Sequence, residues 1–331
     1  MPIVRLSVPD LHGPSPDTPE RTPGTARRTS HLDVVRTGTG LTGEVFISGR
    51  ARDLTTPRDD SPPAVEEVEL GLSAGGPATA VGGISARPGE PALAHLVGAS
   101  LMAGFRRATE RALPGHRERT TLLYRLLDDA PLAFLVSGHA MTLQDEPIPM
   151  GGTAVSRQAD VCAGWQVGGA LLGVIEEGGR LPHSLGPPAP DLGLANDADA
   201  WHELGPLRPL MTRRRRRLDV IPGHPVVLDA HFRDSYVDLE GIERSLHEYT
   251  LRAEVDPDDH TVLRAQAVPR ALPWTECPQA VDSVSRLVGI SLEDLPDLVR
   301  KEFVGVTTCT HLNDTMRSLV DAPSLLLGLA G

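Results

Sequence analysis

Two cysteines and a histidine near the C-terminus have the types and spacing best suited to chemistry. Cys277 stands just before a helix-like stretch, and the pair Cys309-x-His311 stands before another. A helix N-terminus carries partial positive charge and free N–H groups, which lower the pKa of a thiol. Residues two apart in an extended segment share a face, so Cys309 and His311 could bind one metal ion or exchange a proton. The alternative is that each cysteine is a small, buried apolar residue.

Two upstream histidines could complete a metal site. His231 is followed by Phe-Arg-Asp, and His247 lies on the apolar face of a predicted strand, where it could equally be a half-buried structural residue. Two cysteines with one or two histidines form a tetrahedral donor set that suits zinc, with iron as the other possibility. The predicted metal ligands are Cys277, Cys309, His311 and His231, with His247 as the alternative fourth ligand.

Three residues are predicted to act in catalysis. His247 could be a base, and Glu248, on the polar face of the same strand, could be a general base if that face lines a cleft, or could be solvated. Asp314 follows Asn313 in the first turn of the last predicted helix, where the pair could cap the helix or orient His311 and a substrate. Asp234, which has a counterpart at Asp53, is expected to be a structural partner of Arg233.

These residues belong to the second of two similar segments. The sequence at 96–101 (LVGASL) recurs at 287–292 (LVGISL), and 27–34 (RRTSHLDV) recurs at 213–220 (RRRRRLDV). Residues 50–53 align with 231–234 in the same way. In the first copy, the positions that correspond to Cys277, Cys309 and His311 are occupied by Glu90, Leu122 and Tyr124. The sequence therefore predicts a duplication in which only the second copy keeps reactive residues.

The order of elements indicates an α+β fold, with strands followed by helices in each copy. Residues 246–255 alternate between apolar and polar, 256–259 form a turn, and 261–268 form the returning strand. Helices are expected over 278–288, 291–303 and 311–320. We expect an internal duplication of a small antiparallel sheet covered by helices. The predicted domains are a disordered tail (1–26), a degenerate structural first repeat (27–141), a connector (142–210) and a second repeat carrying the site (211–331).

Composition limits the partners. The net charge of −12 argues against nucleic acid, because phosphate binding needs a basic surface. No run of about 20 apolar residues predicts a membrane span. Three cysteines do not form a disulfide framework, which favours a reducing cytoplasm. The five arginines of 213–217 are expected to form a solvated edge or an internal salt-bridge strip, or else to bind an anion. Cys162 could be a core residue or a further ligand, and Trp201-His202 could form a lid.

Several motifs resemble a bacterial family of unknown function. They are His231-Phe232-Arg233-Asp234-Ser235, Leu272-Pro273-Trp274-x-x-Cys277-Pro278 and Cys309-Thr310-His311-Leu312-Asn313-Asp314. The resemblance covers most of the chain and implies no known reaction.

The second copy is also similar in layout to iron–sulfur scaffold proteins of the NifU/IscU type, a SufE/NifU-like arrangement. That resemblance implies a small antiparallel sheet followed by helices, with one cysteine opening a helix and a late cysteine opening the last helix. Cys277, the stretch 289–294 (GISLED) and Cys309 match this layout. The family's early cysteine is absent from this chain, and His231 or His247 lies in the corresponding region instead. The family's late His-Cys pair is replaced by Cys309-Thr310-His311.

Three functions are consistent with these patterns. The first is a zinc- or iron-dependent enzyme that acts on a small metabolite, which could be anionic, bound between the two repeats. The second is a metal-free enzyme in which Cys309 is the nucleophile and His311 or His247 the base. The third is a non-catalytic iron–sulfur or sulfur carrier or another binding protein. The oligomeric state stays open.

Overall fold

The computed structural model describes residues 3–4, 11–38, 43–59, 61–76, 79–144, 148–150, 152–194 and 196–330. Its strands are β1 (Ile3–Val4), β2 (Thr25–Arg36), β3 (Val45–Thr56), β4 (Ala64–Gly75), β5 (Ala80–Arg87), β6 (His183–Ser184), β7 (Thr212–Ile221), β8 (Val226–Val237), β9 (Glu243–Val255) and β10 (Val262–Ala271). Eight of these strands form one antiparallel sheet in the order β10-β9-β8-β7-β2-β3-β4-β5, and β1 pairs with β6. The two predicted sheets are therefore halves of one continuous sheet.

The halves join at β2 and β7, whose pairing has a local two-fold arrangement. Arg27 lies opposite Asp219, and Asp33 lies opposite Arg213. Arg213 Nε donates to Asp33 Oδ1 at 2.6 Å, and Arg27 Nε donates to Asp219 Oδ1 at 2.5 Å. Each repeat thus supplies the aspartate that the other repeat's arginine needs, and the two ion pairs fix the register of the central strands.

The recurring Leu-Val-Gly sequence forms the same turn twice. Gly98 N donates to Val81 O at 2.8 Å, and Gly289 N donates to Val262 O at 2.8 Å. Both glycines have positive φ angles, 83° and 86°, a conformation that disfavours other residues. This equivalence confirms the predicted internal duplication and the α+β class.

The α-helices are α1 (Phe105–Ala112), α2 (Leu122–Met141), α3 (Thr153–Gln158), α4 (Ala170–Gly178), α5 (Leu295–Glu302), α6 (Thr310–Ser318) and α7 (Ala322–Ala330). Short 3₁₀ helices span Pro91–Leu96, Ala163–Trp165, Cys277–Leu287 and Leu319–Asp321. The predicted helix 278–288 is therefore the third of these 3₁₀ helices. Among the helices of the described ranges, none combines the length and the apolar character needed to cross a membrane.

The helices cover one side of the sheet, which we call the helix face. Phe232 and Leu228 of β8 point to this face and pack in one apolar core with Leu312 and Met316 of α6. A second core lies under the first repeat, between its strands and α2. Because α2 is buried around most of its circumference, its sequence lacks the amphipathic pattern by which a helix is recognised.

Irregular chain covers the opposite side, which we call the loop face. Ser15 N donates to Glu248 Oε1 at 2.7 Å, and Trp201 Nε1 donates to Thr18 Oγ1 at 2.7 Å. Ser15 and Thr18 belong to the segment for which we predicted disorder, yet in the structure they lie on this face. The hydrogen-bond partners that hold the segment there are distant in sequence, so the composition of the segment could not predict this position. Trp201 lies on the loop face as well.

The five arginines of β7 form the internal salt-bridge strip that was one of the two main expectations. All five are buried, and they alternate between the faces. Arg214 and Arg216 point to the helix face, while Arg215 donates to Glu243 Oε1 at 2.7 Å on the loop face. Their partners are carboxylates of the same chain, so the run is not a surface patch.

Candidate functional site

A row of polar side chains crosses three neighbouring strands on the helix face. His247 of β9 lies opposite Asp234 of β8, which lies opposite Arg214 of β7. His311, in the first turn of α6, reaches the same place from above. Its Nε2 lies 3.5 Å from Asp234 Oδ2, and His247 Nδ1 lies 3.9 Å from the same oxygen. The imidazole rings stack with their centroids 3.6 Å apart.

Both imidazole nitrogens that face Asp234 are buried and make no hydrogen bond. Buried polar atoms are normally paired, so two such atoms beside one carboxylate need an explanation. Within the described part of the chain, Asp234, His247 and His311 are the one group of three metal-ligand side chains whose donor atoms all lie within 4.8 Å of one another. An ion bound at about 2.1 Å separates its donors by roughly 3.0–3.4 Å. The nitrogen–oxygen distances of 3.5 and 3.9 Å lie above this range and the two rings are stacked, so metal binding would require the imidazoles to rotate.

The protonation states suit a metal site. Burial lowers the pKa of His247 well below its ordinary value, with His311 as the next cause. Burial, followed by the charges of Arg214 and Arg216, lowers the pKa of His311 in the same way. Both rings are therefore neutral, which is the form that binds metals. Burial raises the pKa of Asp234, an effect that the Arg214 guanidinium opposes.

Local backbone features bring these side chains together. The β8–β9 register shifts between Asp234 and Ser235, which lie opposite His247 and Ser245, so Leu246 is an extra residue. Such a β-bulge reorients the neighbouring side chains and is frequent beside functional sites. Cys309 is the N-cap of α6, and its Sγ lies 3.8 Å from His311 Nδ1. This contact occupies one ring nitrogen and leaves Nε2 facing Asp234.

Charged groups surround the three residues. Arg214 donates to both oxygens of Asp234, at 2.9 and 2.8 Å. Arg216 donates from Nε and Nη2 to Asp129 of α2, at 2.6 and 2.8 Å. Asp314 pairs with Arg317 and lies 3.5 Å from Arg214 Nη1. Three guanidiniums and three carboxylates therefore adjoin the histidines, so their formal charges balance.

Asp314 was predicted to act in catalysis, and its partners indicate a different role. Burial alone would raise its pKa, but Arg317 and Arg106 lower it overall. A carboxylate held in its charged form by arginines is a poor proton carrier. The structure places Asp314 beside the three residues as a member of the ion-pair network.

The predicted four-ligand metal set does not assemble, because His231 is on the loop face. His231 Nε2 lies 3.0 Å from Glu248 Oε1, and Arg233 Nε donates to Glu248 Oε2 at 2.8 Å. The sheet separates this group from Cys309 and His311. Burial lowers the pKa of His231 to about 4. Glu248, predicted as a general base, is buried beneath the N-terminal segment, and His231 and Arg233 hold its pKa well below the usual range despite its burial.

The cysteines lie in the apolar core of the second repeat. All three are free and buried, and Cys277 belongs to that core together with Cys309. Burial raises the pKa of Cys309, and it raises that of Cys277 well above the ordinary value. It raises the pKa of Cys162 to about 11. Desolvation therefore outweighs the helix N-terminus, from which we expected lowered pKa values.

The ion-pair partner of Asp234 differs from the expected one. We expected a structural partner of Arg233, but its partner is Arg214. The first repeat contains the equivalent pair, in which Arg28 Nε donates to Asp53 Oδ1 at 2.7 Å. Asp53 lies opposite Glu66, whereas Asp234 lies opposite His247. Comparing the neighbours of the two aspartates, rather than the aspartates alone, would have drawn attention to the site.

The fold and the site thus define an α+β protein with an internally duplicated sheet and a candidate metal centre in its second repeat. A family model described as "Protein of unknown function (DUF2889)" matches residues 212–324. The matched segment contains Asp234, His247 and His311. No curated protein and no solved structure matches the chain. The match agrees with the expected family of unknown function, while the Cys-Thr-His-Leu motif and the NifU-like layout gain no support from it.

Proposed function

We propose that this protein is a metal-dependent enzyme whose zinc or iron ion is held by Asp234, His247 and His311. The observation that carries the proposal is the convergence of two buried, unpaired imidazole nitrogens on one carboxylate oxygen. This set replaces the predicted Cys277, Cys309, His311 and His231. It keeps the site in the second repeat and retains His311.

A donor set of two histidines and one carboxylate is typical of catalytic metal sites. Three protein ligands leave coordination positions free for a substrate, whereas structural zinc sites use four. The ion would supply Lewis acidity. The chain's own contribution is to orient the ligands: Arg214 holds Asp234, and Cys309 contacts the far nitrogen of His311. Such supporting contacts fix the ring orientation of metal ligands.

The proposed substrate is a small molecule. The side chains of His247 and His311 are only 12% and 11% exposed, so access is narrow. Arg216 keeps one N–H group without a hydrogen bond, which favours a substrate that carries an acceptor.

The two alternative functions have less support. A nucleophilic Cys309 requires a thiolate near neutral pH, but burial raises the pKa of this thiol. An iron–sulfur carrier requires thiols that a cluster can reach, and Cys162, Cys277 and Cys309 are all buried. The metal hypothesis rests instead on nitrogen and oxygen donors.

The test is elemental analysis by mass spectrometry of protein purified without a metal-affinity tag. We expect about one zinc or iron per chain in the wild type, and its loss in the variants His247→Gln and His311→Gln. Two controls are expected to keep the ion: His95→Gln, which changes an exposed histidine of the first repeat, and Cys277→Ser. A wild type that neither contains nor binds a metal would overturn the proposal. Loss of metal in Cys277→Ser, but not in His247→Gln, would restore the thiol-based set.

A further inference from the structure

Arg216 carries a buried N–H group without a partner near the candidate metal centre. The Nη1 atom of Arg216 makes no hydrogen bond, and its side chain is only 6% exposed. The other two nitrogens of the guanidinium donate to Asp129. One donor therefore remains available, in an environment where an unpaired donor is costly.

The ring of Phe232 lies close both to Arg216 and to the proposed metal ligand His311. Arg216 lies opposite Phe232 in the β7–β8 register, with its guanidinium carbon 4.8 Å from the ring centroid. The ring of His311 lies 6.0 Å from the same phenylalanine ring. Arg214 also lies over that ring, at 5.0 Å. Arg216 and the proposed ligand His311 therefore both lie close to one aromatic ring.

The first repeat has no equivalent of this donor. The residue at the position of Arg216 in the duplicated sequence is Ser30, which lies directly opposite Arg216 at the centre of the β2–β7 pair. The Arg214–Asp234 pair, by contrast, has its counterpart in Arg28–Asp53. Arg216 thus occurs, like the two histidines, only in the second of the two repeats.

We propose that the substrate of this site is a small carboxylate that binds the metal with one oxygen and accepts a hydrogen bond from Arg216 Nη1 with the other. This inference rests on the metal-dependent function proposed above. A carboxylate has two oxygens, so one can bind the metal while the other accepts a hydrogen bond from an N–H group. Phosphate carries more charge and needs more donors than this site offers, since Asp129, Asp234 and Asp314 already engage the arginines.

The test uses the intact protein loaded with Co²⁺, whose visible absorption reports its ligands. Acetate, inorganic phosphate and imidazole are titrated separately into the wild type, Arg216→Lys and Arg215→Lys. Arg215 is the matched control because it adjoins Arg216 in the same strand but points to the loop face. We expect acetate to change the wild-type spectrum at lower concentration than phosphate. We expect its apparent Kd to rise about tenfold or more in Arg216→Lys and to stay within about twofold in Arg215→Lys.

The outcomes separate the two proposals. If the wild type binds Co²⁺ and responds to imidazole but not to acetate, the carboxylate inference fails and the metal site stands, even if Arg216→Lys does not fold. Equal acetate affinity in folded Arg216→Lys and wild type would also overturn the inference, as would tighter binding of phosphate. If the wild type binds no Co²⁺, and no zinc or iron, the proposed function itself fails.

Discussion

His311 Nε2 and Asp234 Oδ2 lie 3.5 Å apart, which joins the first turn of α6 to the middle of the sheet. Neither the sheet nor the helix alone contains the site, since His247 and Asp234 come from strands and His311 from the helix above them. The Nε2 atom of His311 makes no hydrogen bond, so it remains available to bind a metal ion beside Asp234. Metal binding at this point would therefore tie α6 to β8 and β9, and would stabilise the folded protein.

The two equivalent aspartates allow a matched test of the site. We expect Asp234→Asn to lose the metal and Asp53→Asn to retain it, because Asp53 lies opposite Glu66 rather than a histidine. Each substitution removes one charge partner of a buried arginine, Arg214 or Arg28. Metal content and thermal unfolding of both variants are measured side by side.

A loss of stability is expected in both aspartate variants. Removing one partner of a buried ion pair costs about 3–5 kcal/mol, and less at Asp53, whose side chain is 20% exposed. Addition of zinc is expected to raise the Tm of Asp53→Asn and leave that of Asp234→Asn unchanged. Equal metal content in the two variants would contradict the assignment of Asp234 as a ligand.

Stability is predicted to fall below about pH 6.5 because buried histidines resist protonation. Burial lowers the pKa of His231 from 6.5 to about 4, and that of His183 to about 4 as well. Between these values the unfolded chain is protonated and the folded chain is not, so unfolding takes up protons as the pH decreases. Each such group removes about 1.4 kcal/mol of stability per pH unit across this window.

The variant His231→Gln tests this pH effect. Glutamine keeps a donor for Glu248 but does not titrate, so the free energy of unfolding in urea should depend less steeply on pH between 6.5 and 4. The exposed His95→Gln is the control and should leave the slope unchanged. A slope for His231→Gln identical to that of the wild type would show that His231 does not contribute.

Packing around Cys277 is predicted to be intolerant of a single added methyl group. A Cβ at Gly164 would lie 2.8 Å from Cys277 Sγ and 3.1 Å from Trp274 Cδ1. Gly164→Ala should therefore destabilise the protein by about 1–3 kcal/mol. Gly173→Ala in α4, where no atom lies within 4 Å, should be neutral or stabilise by up to about 1 kcal/mol. Urea unfolding measures the free energy of unfolding of both variants. Adding Cys277→Ala to Gly164→Ala should recover part of the stability that the added methyl group removes.

The fold could be predicted to a large extent because the duplication leaves repeated local sequences. The Leu-Val-Gly turns and the Asp53 and Asp234 positions are equivalent in the structure, as expected. The alternation predicted for 246–255 also placed His247, Tyr249 and Leu251 on one face correctly. What the sequence could not show is that both repeats share one sheet, because the β2–β7 pairing depends on contacts between distant segments.

The site was harder to predict, because which residues of two neighbouring strands share a face depends on their register. His231 was grouped with Cys309 and His311, but in the observed register it lies opposite Thr250 and on the same face as Glu248. The bulge at Leu246 adds one residue to β9, and no composition or spacing rule indicates its position. Burial depends on other contacts that the sequence does not show: Ser15 of the N-terminal segment donates to Glu248, and Cys277 and Cys309 lie in the apolar core.

The three thiols are predicted to react slowly with iodoacetamide in the folded protein at pH 7.5. Cys309 is 4% and Cys277 5% exposed, and burial raises the pKa of both, so little thiolate is present and the reagent cannot reach it. Reaction then requires local or global unfolding. Mass spectrometry of peptides labelled with and without urea measures each cysteine separately. Labelling should be fast only in urea, and loss of the metal should accelerate it most at Cys309, which contacts His311. Rapid stoichiometric alkylation of Cys309 alone in the native protein would contradict this prediction and favour a nucleophilic thiol over a metal-centred mechanism.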